Sequence, residues 1–466
     1  MSTLILAGAA AIRSGLLLNP VRDVCLNDSN DLNNSLENRV DAAHECMLTK
    51  NRCVARFPIL LLGACRRLTL KSRHSASVSE SFEFSNTENA RAIFALVLVN
   101  FVGYFYASFI SPLLPLFLDR FSLTLTQVGL LTGMYRLVGI FVEPSVGYIA
   151  DHYRTRLFVL MGPLLAIVFI PLVGIAPSFS ILLLFACLGA IGPHMLYPTS
   201  VGMVSAYSGQ HLGFSISLIE VGGIVGFGIG PLFITYCVGS YGLEYAPFTM
   251  VLGLALMVFL FKVVPLPREE GLKGFGFVRS VKEILGEAWP SILVIWVIMV
   301  LRSIVCQSVF TFLPVLYARE ERSLISIGLI VSLFVLSGTI SSPLAGALSD
   351  RMSRKRILYF LLPGAMACLY LLLCMSGAWV YLGAFMAGFF LWPIVPLGVV
   401  MAQQWAPKGR SVVSSLIIGL ATGTAAMVMP ALGKAADLFS IRPVLFFVWL
   451  VPLLMIGLIR FVPEKQ

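Results

Sequence analysis

Four charged side chains stand inside long apolar stretches of this chain: Arg136, Glu143, Glu220 and Arg302. An ionised group in such surroundings costs about 2.5–3.5 kcal/mol on insertion scales, so it belongs against a polar interior or water. A carboxylate in a partly dry site is driven toward its protonated form by desolvation and back by a nearby arginine. Glu143 or Glu220 could therefore take up and release a proton. Arg136 and Glu143 lie seven residues apart, two helical turns, and share one helix face. A structural ion network of Arg136, Glu143 and Glu220 is the competing expectation. Arg302 can offer a planar fork to a carboxylate or phosphonate, or it can pair with a neighbouring helix.

Asn100, Tyr104, His194, Tyr197, Gln307 and Trp392 are polar or aromatic groups that could complete a solute cavity around those charges. A histidine titrates near neutral pH, so His194 could carry a proton, or it could simply bond a backbone carbonyl. Enzyme chemistry finds no support. The sequence has no GxxxxGK[ST] phosphate loop, HExxH pair or nucleophile elbow. The nine cysteines form no CxxC pair and show no metal-ligand spacing. No cofactor and no metal are expected.

These residues need elements to position them, and composition limits which. The chain is 58% hydrophobic and 12% charged, about half the charge of a soluble globular protein. Lipid is the solvent that tolerates such a surface. The net charge of +10 does not gather into a basic face, so nucleic acid is not an expected partner. Twelve apolar runs are predicted at 92–118, 126–149, 157–177, 179–205, 212–237, 244–265, 289–316, 324–348, 357–377, 379–403, 411–433 and 443–461. Each can cross ~30 Å of hydrocarbon as a helix, the form that satisfies its own backbone in lipid.

The organisation expected is an N-terminal extension over 1–90, a six-helix bundle over 91–265, a linker over 266–288 and a second bundle over 289–466. The extension holds ten Lys/Arg against nine Asp/Glu, and its longest apolar run is too short to span. A disordered cytoplasmic tail, an organelle presequence and a start codon set too far upstream all fit it. Phe277 to Glu287 could lie on the membrane surface as an amphipathic helix. With both termini cytoplasmic, the inner connections and C-terminal tail carry fifteen Lys/Arg and the outer connections five. That is the bias the positive-inside rule predicts.

A repeat unifies the spans. At one offset of 199 residues, Pro115 meets Pro314, Gly129 meets Gly328, Gly139 meets Gly338, Pro144 meets Pro343 and Gly147 meets Gly346. Asp151 meets Asp350, Gly189 meets Gly388, Ser215 meets Ser414 and Pro231 meets Pro430. Glycine and proline have backbone effects that other residues cannot copy, so the same bends and close contacts are expected in both halves. Arg136 and Glu143 are not repeated; Val335 and Ser342 stand at their equivalents.

Two loop motifs carry a family resemblance. Gly147-Tyr-Ile-Ala-Asp151-His-Tyr-Arg154-Thr-Arg156 and Gly346-Ala-Leu-Ser-Asp350-Arg351-Met-Ser353-Arg354-Lys355-Arg356 resemble the G-x-x-x-D-R/K-x-G-x-R/K-R/K signature of the major facilitator superfamily. Arg154 and Ser353 replace its second glycine. The run from Tyr197-Pro198 to Gly202, with Gly222-Gly223 to Leu232, is similar to the fosmidomycin-resistance, drug-efflux branch. The resemblance implies an all-α polytopic membrane protein, twelve transmembrane helices in two pseudo-symmetric six-helix bundles. It also implies a cavity lined by the first, fourth, seventh and tenth helices, and gating by Gly147, Asp151, Arg156, Gly346, Asp350, Arg351, Arg354 and Lys355.

The function expected is secondary active transport of a small organic solute by alternating access, as proton-coupled efflux. Uptake or exchange of an organic anion by the same fold is the alternative. A non-transporting sensor or scaffold with residues 1–90 as its interaction arm is another. Expected partners are the lipid bilayer, the solute and protons, with the protein working as a monomer in the plasma (inner) membrane.

Overall fold

A computed structural model describes residues 87–152, 156–205, 207–208, 212–264, 289–349, 351–405 and 416–462. The 266–288 linker with its surface helix, residues 1–86, Asp350 and the side chains of Gly147, Asp151 and Tyr197 lie outside the described residues.

Among the described residues, twelve helices are long and apolar enough to cross a membrane. In chain order they are α1 (Asn89–Phe121), α2 (Leu125–Val146), α3 (Arg156–Ile175), α4 (Phe179–Val204), α5 (Ser215–Tyr241) and α6 (Leu243–Val263). The second six are α7 (Trp289–Arg319), α8 (Leu324–Ser349), α9 (Arg354–Cys374), α10 (Trp379–Trp405), α11 (Ile417–Phe439) and α12 (Ile441–Ile459). We call the end bearing the α1–α2 turn the 122 end, and the end bearing the α2–α3 turn the 152 end. Exposed Phe141, Phe248, Phe447 and Phe461 form part of the apolar outer surface.

Burial sorts the helices in matched pairs. The most apolar stretches of α1 and α7 are 72% and 67% buried, those of α6 and α12 only 28% and 33%. The first pair is central and the second peripheral, as two copies of one bundle require. The contacts agree. A Cβ on Gly129 of α2 would meet the backbone of Met429 and Pro430 on α11; a Cβ on Gly328 of α8 would meet Pro231 and Thr235 on α5. Gly129 and Gly328 are mates under the 199-residue offset, and so are Pro231 and Pro430. The same close approach is therefore made twice, with the halves exchanging roles. Ser111 Oγ donates to the Phe310 carbonyl at 2.6 Å, and these two positions are themselves offset mates. That contact lies where the halves cross their common axis.

The ends of each half are tied alike. Arg156 Nη2 donates to the Phe261 carbonyl at the end of α6 (2.6 Å), and Lys355 Nζ to the Arg460 and Val462 carbonyls past α12 (3.4 and 3.1 Å). Positions 156 and 355, and 261 and 460, again differ by 199. Cations satisfying the last carbonyls of a helix also oppose its dipole.

Besides α12, whose segments Ile441–Trp449 and Val451–Ile459 join at Leu450, three of the described spans are irregular. In α1, the segments Thr87–Ala107 and Ile110–Phe121 join at Ser108–Phe109, where Pro112 cannot donate to the Ser108 carbonyl. In α10, Trp379–Leu391 and Ile394–Trp405 join at Trp392–Pro393. A π turn, Leu416–Leu420, leads into the α-helical part of α11. Such turns recur at functional sites.

Candidate functional site

Thr132, Arg136, Gly139 and Glu143 follow one another on α2 at spacings of four, three and four, so they share a face. That face meets α4. The His194 ring fills the space beside Gly139, where a Cβ would collide with it. Glu143 Oε1 lies 2.8 Å from His194 Nδ1, with side-chain exposures of 30% and 17% for Glu143 and His194. The pair is shielded but not sealed. The second carboxylate oxygen, Oε2, stands 3.0 Å from where a Cβ on Gly419 would sit. Gly419 belongs to the π turn of α11, so Glu143 touches both halves.

Toward the 122 end, Arg136 stacks on Phe227 of α5, its guanidinium carbon 5.7 Å from the ring centre. It lines a cavity of about 40 Å³ together with Ser111, Tyr135, Gln307, Phe310 and Thr311. A water needs roughly 10–15 Å³ of such space, so the cavity holds about three. A drug-sized solute needs roughly 300–1,000 Å³, so the halves must part to admit one here. Their contacts around it are mixed: Phe227 meets Phe310 edge to face with ring centres 5.7 Å apart, and Thr311 Oγ1 donates to Thr132 Oγ1 at 3.0 Å. Gln307 Nε2 donates to the Thr422 carbonyl at 2.8 Å, while Gln307 Oε1 is buried with no hydrogen-bond partner.

Arg302 is only 6% exposed. Its Nε donates to the Leu391 carbonyl at 3.2 Å, and its guanidinium carbon lies 5.1 Å from the Trp392 ring centre. Its Nη2 is buried without an acceptor. Trp392 is fixed in turn, its Nε1 donating to the Phe334 carbonyl at 3.0 Å and its ring against Gly338. Gly338 is the offset mate of Gly139, so His194 and Trp392 fill matching notches in the two halves.

The structure thus brings Glu143 to His194, and Arg136, Arg302, Gln307 and Trp392 to one central region. Among the described residues Arg136 forms no ion pair with Glu143. Asn100 is elsewhere: its Nδ2 donates to the Leu96 carbonyl and Ser200 Oγ in a buried α1–α4 contact. Tyr104 packs beside Gly223 of α5 and feels the charges of Arg136, Glu143 and Glu220. Glu220 itself is exposed. Of the remaining motif residues, Arg351 is exposed, Gly346 has open space beside it and Arg354 Nε is buried without an acceptor.

Sequence reasoning passed over several lining groups. Thr132 and Thr311 were within reach of it, since each stands four residues from a candidate (Arg136, Gln307) on the same helix face. Asp437 was not. Its carboxylate, on α11, accepts the backbone N–H groups of Leu125 and Thr126 at the start of α2 (2.7 and 3.0 Å). Nothing local in the sequence says that one helix will cap another some 310 residues away.

The Major Facilitator Superfamily model matches residues 96–411 and 295–466. The chain is 25% identical over 395 residues to the fosmidomycin resistance protein of Escherichia coli (strain K12), covering 82% of this chain and 96% of that one. It is 26% identical over 192 residues to the quinolone resistance protein NorA of Staphylococcus aureus (strain MRSA252), covering 40% and 48%. Among solved structures it is similar to a bacterial homolog of the human lysosomal transporter Spinster in an inward-facing, unoccupied conformation. That match has a TM-score of 0.61 at 15% identity, over 81% of this chain and 95% of the other.

Proposed function

The chain belongs to the major facilitator superfamily, and on that footing we propose that it exports a small organic solute in exchange for protons, by alternating access. It is a multi-pass membrane transporter, and the proposal concerns coupling, direction and site. The observation that carries it is the Glu143–His194 pair, 2.8 Å apart and partly shielded, with its carboxylate against Gly419 of the opposite half. A carboxylate–imidazole pair changes charge with one proton. Placed where the halves meet, that change alters the contact between α2 and α11. The proton state and the choice of which end is open are thereby linked.

In this reading the 152 end faces the cytoplasm of a cell bounded by its plasma membrane. The 122 end is the closed side of the present conformation, and the single chain is the working unit. Gly147, Asp151, Arg156, Gly346, Asp350, Arg351, Arg354 and Lys355 act as gating groups on the cytoplasmic side. Efflux is favoured because the relatives named above confer resistance to fosmidomycin and quinolones.

The test uses cells overexpressing the protein, challenged with fosmidomycin or a quinolone with and without a protonophore. Tolerance should rise several-fold, and both the protonophore and Glu143→Gln should return it to the vector level. In proteoliposomes, an imposed pH gradient should drive counterflow of the tolerated compound. Equal counterflow without the gradient would point to the anion-exchange alternative instead.

A further inference from the structure

Gln307, on α7, lines the central cavity and is only 5% exposed. Its amide has one end occupied and one end idle. Nε2 donates to the Thr422 carbonyl of α11 at 2.8 Å, while Oε1 is buried with no donor among the described residues. Turning the amide over would set Oε1 against the Thr422 carbonyl, acceptor facing acceptor, so the orientation is fixed. A buried acceptor without a donor carries its full desolvation cost.

Among the described residues lining the cavity, every hydroxyl hydrogen is already spent. Ser108, Ser111 and Tyr135 donate to the Phe105, Phe310 and Ala107 carbonyls, and Thr132 to that of Val128. Thr311 donates to Thr132. Arg136, which also lines the cavity, is stacked on Phe227 and makes no bond to Oε1. The amide is no requirement of the repeat either. Its offset mate is Ser108, which lines the same cavity from the break in α1. One half keeps a short hydroxyl tied to its own turn, and the other extends an acceptor. Two rings line the cavity with it: Phe310, about one turn along α7 from Gln307, and Phe227 of α5, which meets Phe310 edge to face. Such rings take another flat ring by stacking or edge contact.

We infer that Gln307 Oε1 is the acceptor by which the site selects its solute, bonding an N–H or O–H carried on a flat ring that packs against Phe227 and Phe310. This rests on the transport reading above and names the solute class for it. In the present conformation the acceptor is sealed and idle. A solute that enters when the halves part supplies the missing donor. One with a methyl group in place of that hydrogen leaves the acceptor buried and unbonded, and is rejected.

Two matched pairs of flat, uncharged probes test this on the purified full chain in nanodiscs at neutral pH: theophylline with caffeine, and indole with 1-methylindole. Within each pair one ring N–H is exchanged for N–CH3. Binding is read by equilibrium dialysis, with empty nanodiscs subtracted. In at least one pair the N–H member should bind about tenfold more tightly than its methylated partner. Gln307→Met keeps the length of the side chain without the acceptor and should bring that ratio to about one. Lost packing alone would weaken both members alike and leave the ratio unmoved. Gln307→Asn, a methylene shorter, cannot hold the Thr422 carbonyl and reach the solute together, so its ratio should fall between. Should Gln307→Met melt before it can be assayed, the wild-type ratios and Gln307→Asn decide the matter. Equal binding within both pairs, binding of none of the four, or a ratio unmoved by the Gln307 variants overturns the acceptor. Donor selectivity with counterflow indifferent to a pH gradient would leave the acceptor standing and remove proton coupling. Gradient-driven counterflow that treats theophylline and caffeine alike would do the reverse.

Discussion

At the scale of single residues, one carboxylate does the work of a clasp. Asp437 takes two backbone N–H groups at the start of α2 and the Thr126 hydroxyl. Thr124 and Gln127 already form a local capping box there, and Asp437 adds from the opposite half an acceptor for the N–H groups of Leu125 and Thr126 that the box leaves. A cap of this kind contributes about 0.5–2 kcal/mol, and here the gain exists only while the 122 end is shut. Asp437→Ala should therefore shift the molecule toward opening at that end by about fivefold per kcal/mol lost. Asp437→Asn, which keeps one acceptor oxygen, should do so less. The measurement is the labelling rate of a cysteine placed at Thr126 by a membrane-impermeant thiol reagent, compared across the wild-type, Asn and Ala backgrounds. Equal rates in all three would mean the clasp contributes nothing to closure.

At the scale of helices, glycines decide where the halves can touch. A methyl group on Gly129 would run into the Met429 carbonyl, and one on Gly328 into the Pro231 carbonyl and Thr235. Gly129→Ala and Gly328→Ala should each reduce transport substantially while the protein still inserts and melts cooperatively, and by similar amounts because the contacts are offset mates. Gly457, in α12, has open space around it. Gly457→Ala should leave transport unchanged and stabilise slightly, since alanine outranks glycine in a helix by about 1 kcal/mol. Transport rates in proteoliposomes, beside melting curves, check all three. This layer of the structure was the most legible in the sequence. Hydropathy located the twelve spans because lipid leaves helix as the only form for a long apolar run. The 199-residue offset found the glycine and proline mates because no other residue reproduces their effect. The breaks in α1 and α10 and the π turn of α11 were not legible, since prolines also occur in spans that stay continuous, such as Pro314 in α7 and Pro343 in α8. The site was legible in part. Glu143 and His194 were both marked by chemistry, but they are 51 residues apart, and their pairing follows only once α2 packs on α4. Asn100 carried the same polar signal and went to a helix–helix contact instead.

For the whole molecule, the contacts divide into those within a half and those between halves. Arg156 binds the end of α6 and Lys355 the chain past α12, so each half fastens its own outer helix at the 152 end. Between the halves, the contacts named run from the Asp437 clasp through Thr132–Thr311 and Ser111–Phe310 to Glu143 against Gly419. The transport cycle proposed above has the halves move as two units about the Ser111–Phe310 crossing, with the 122 end as the far point of the lever. Fixing that point should stop transport without disturbing either half. Thr126→Cys with Asp437→Cys places two thiols where the Thr126 hydroxyl now meets the Asp437 carboxylate. Bridging them with a short bifunctional methanethiosulfonate should abolish counterflow in proteoliposomes, and a reductant should restore it to the level of the unbridged double variant. The two single cysteine variants, treated alike, control for reaction at native thiols such as the exposed Cys374. A bridged protein that still moves solute would mean that passage does not require the halves to separate at this end. Two bundles rocking past a central solute, as proposed above, would then be the wrong description of the cycle.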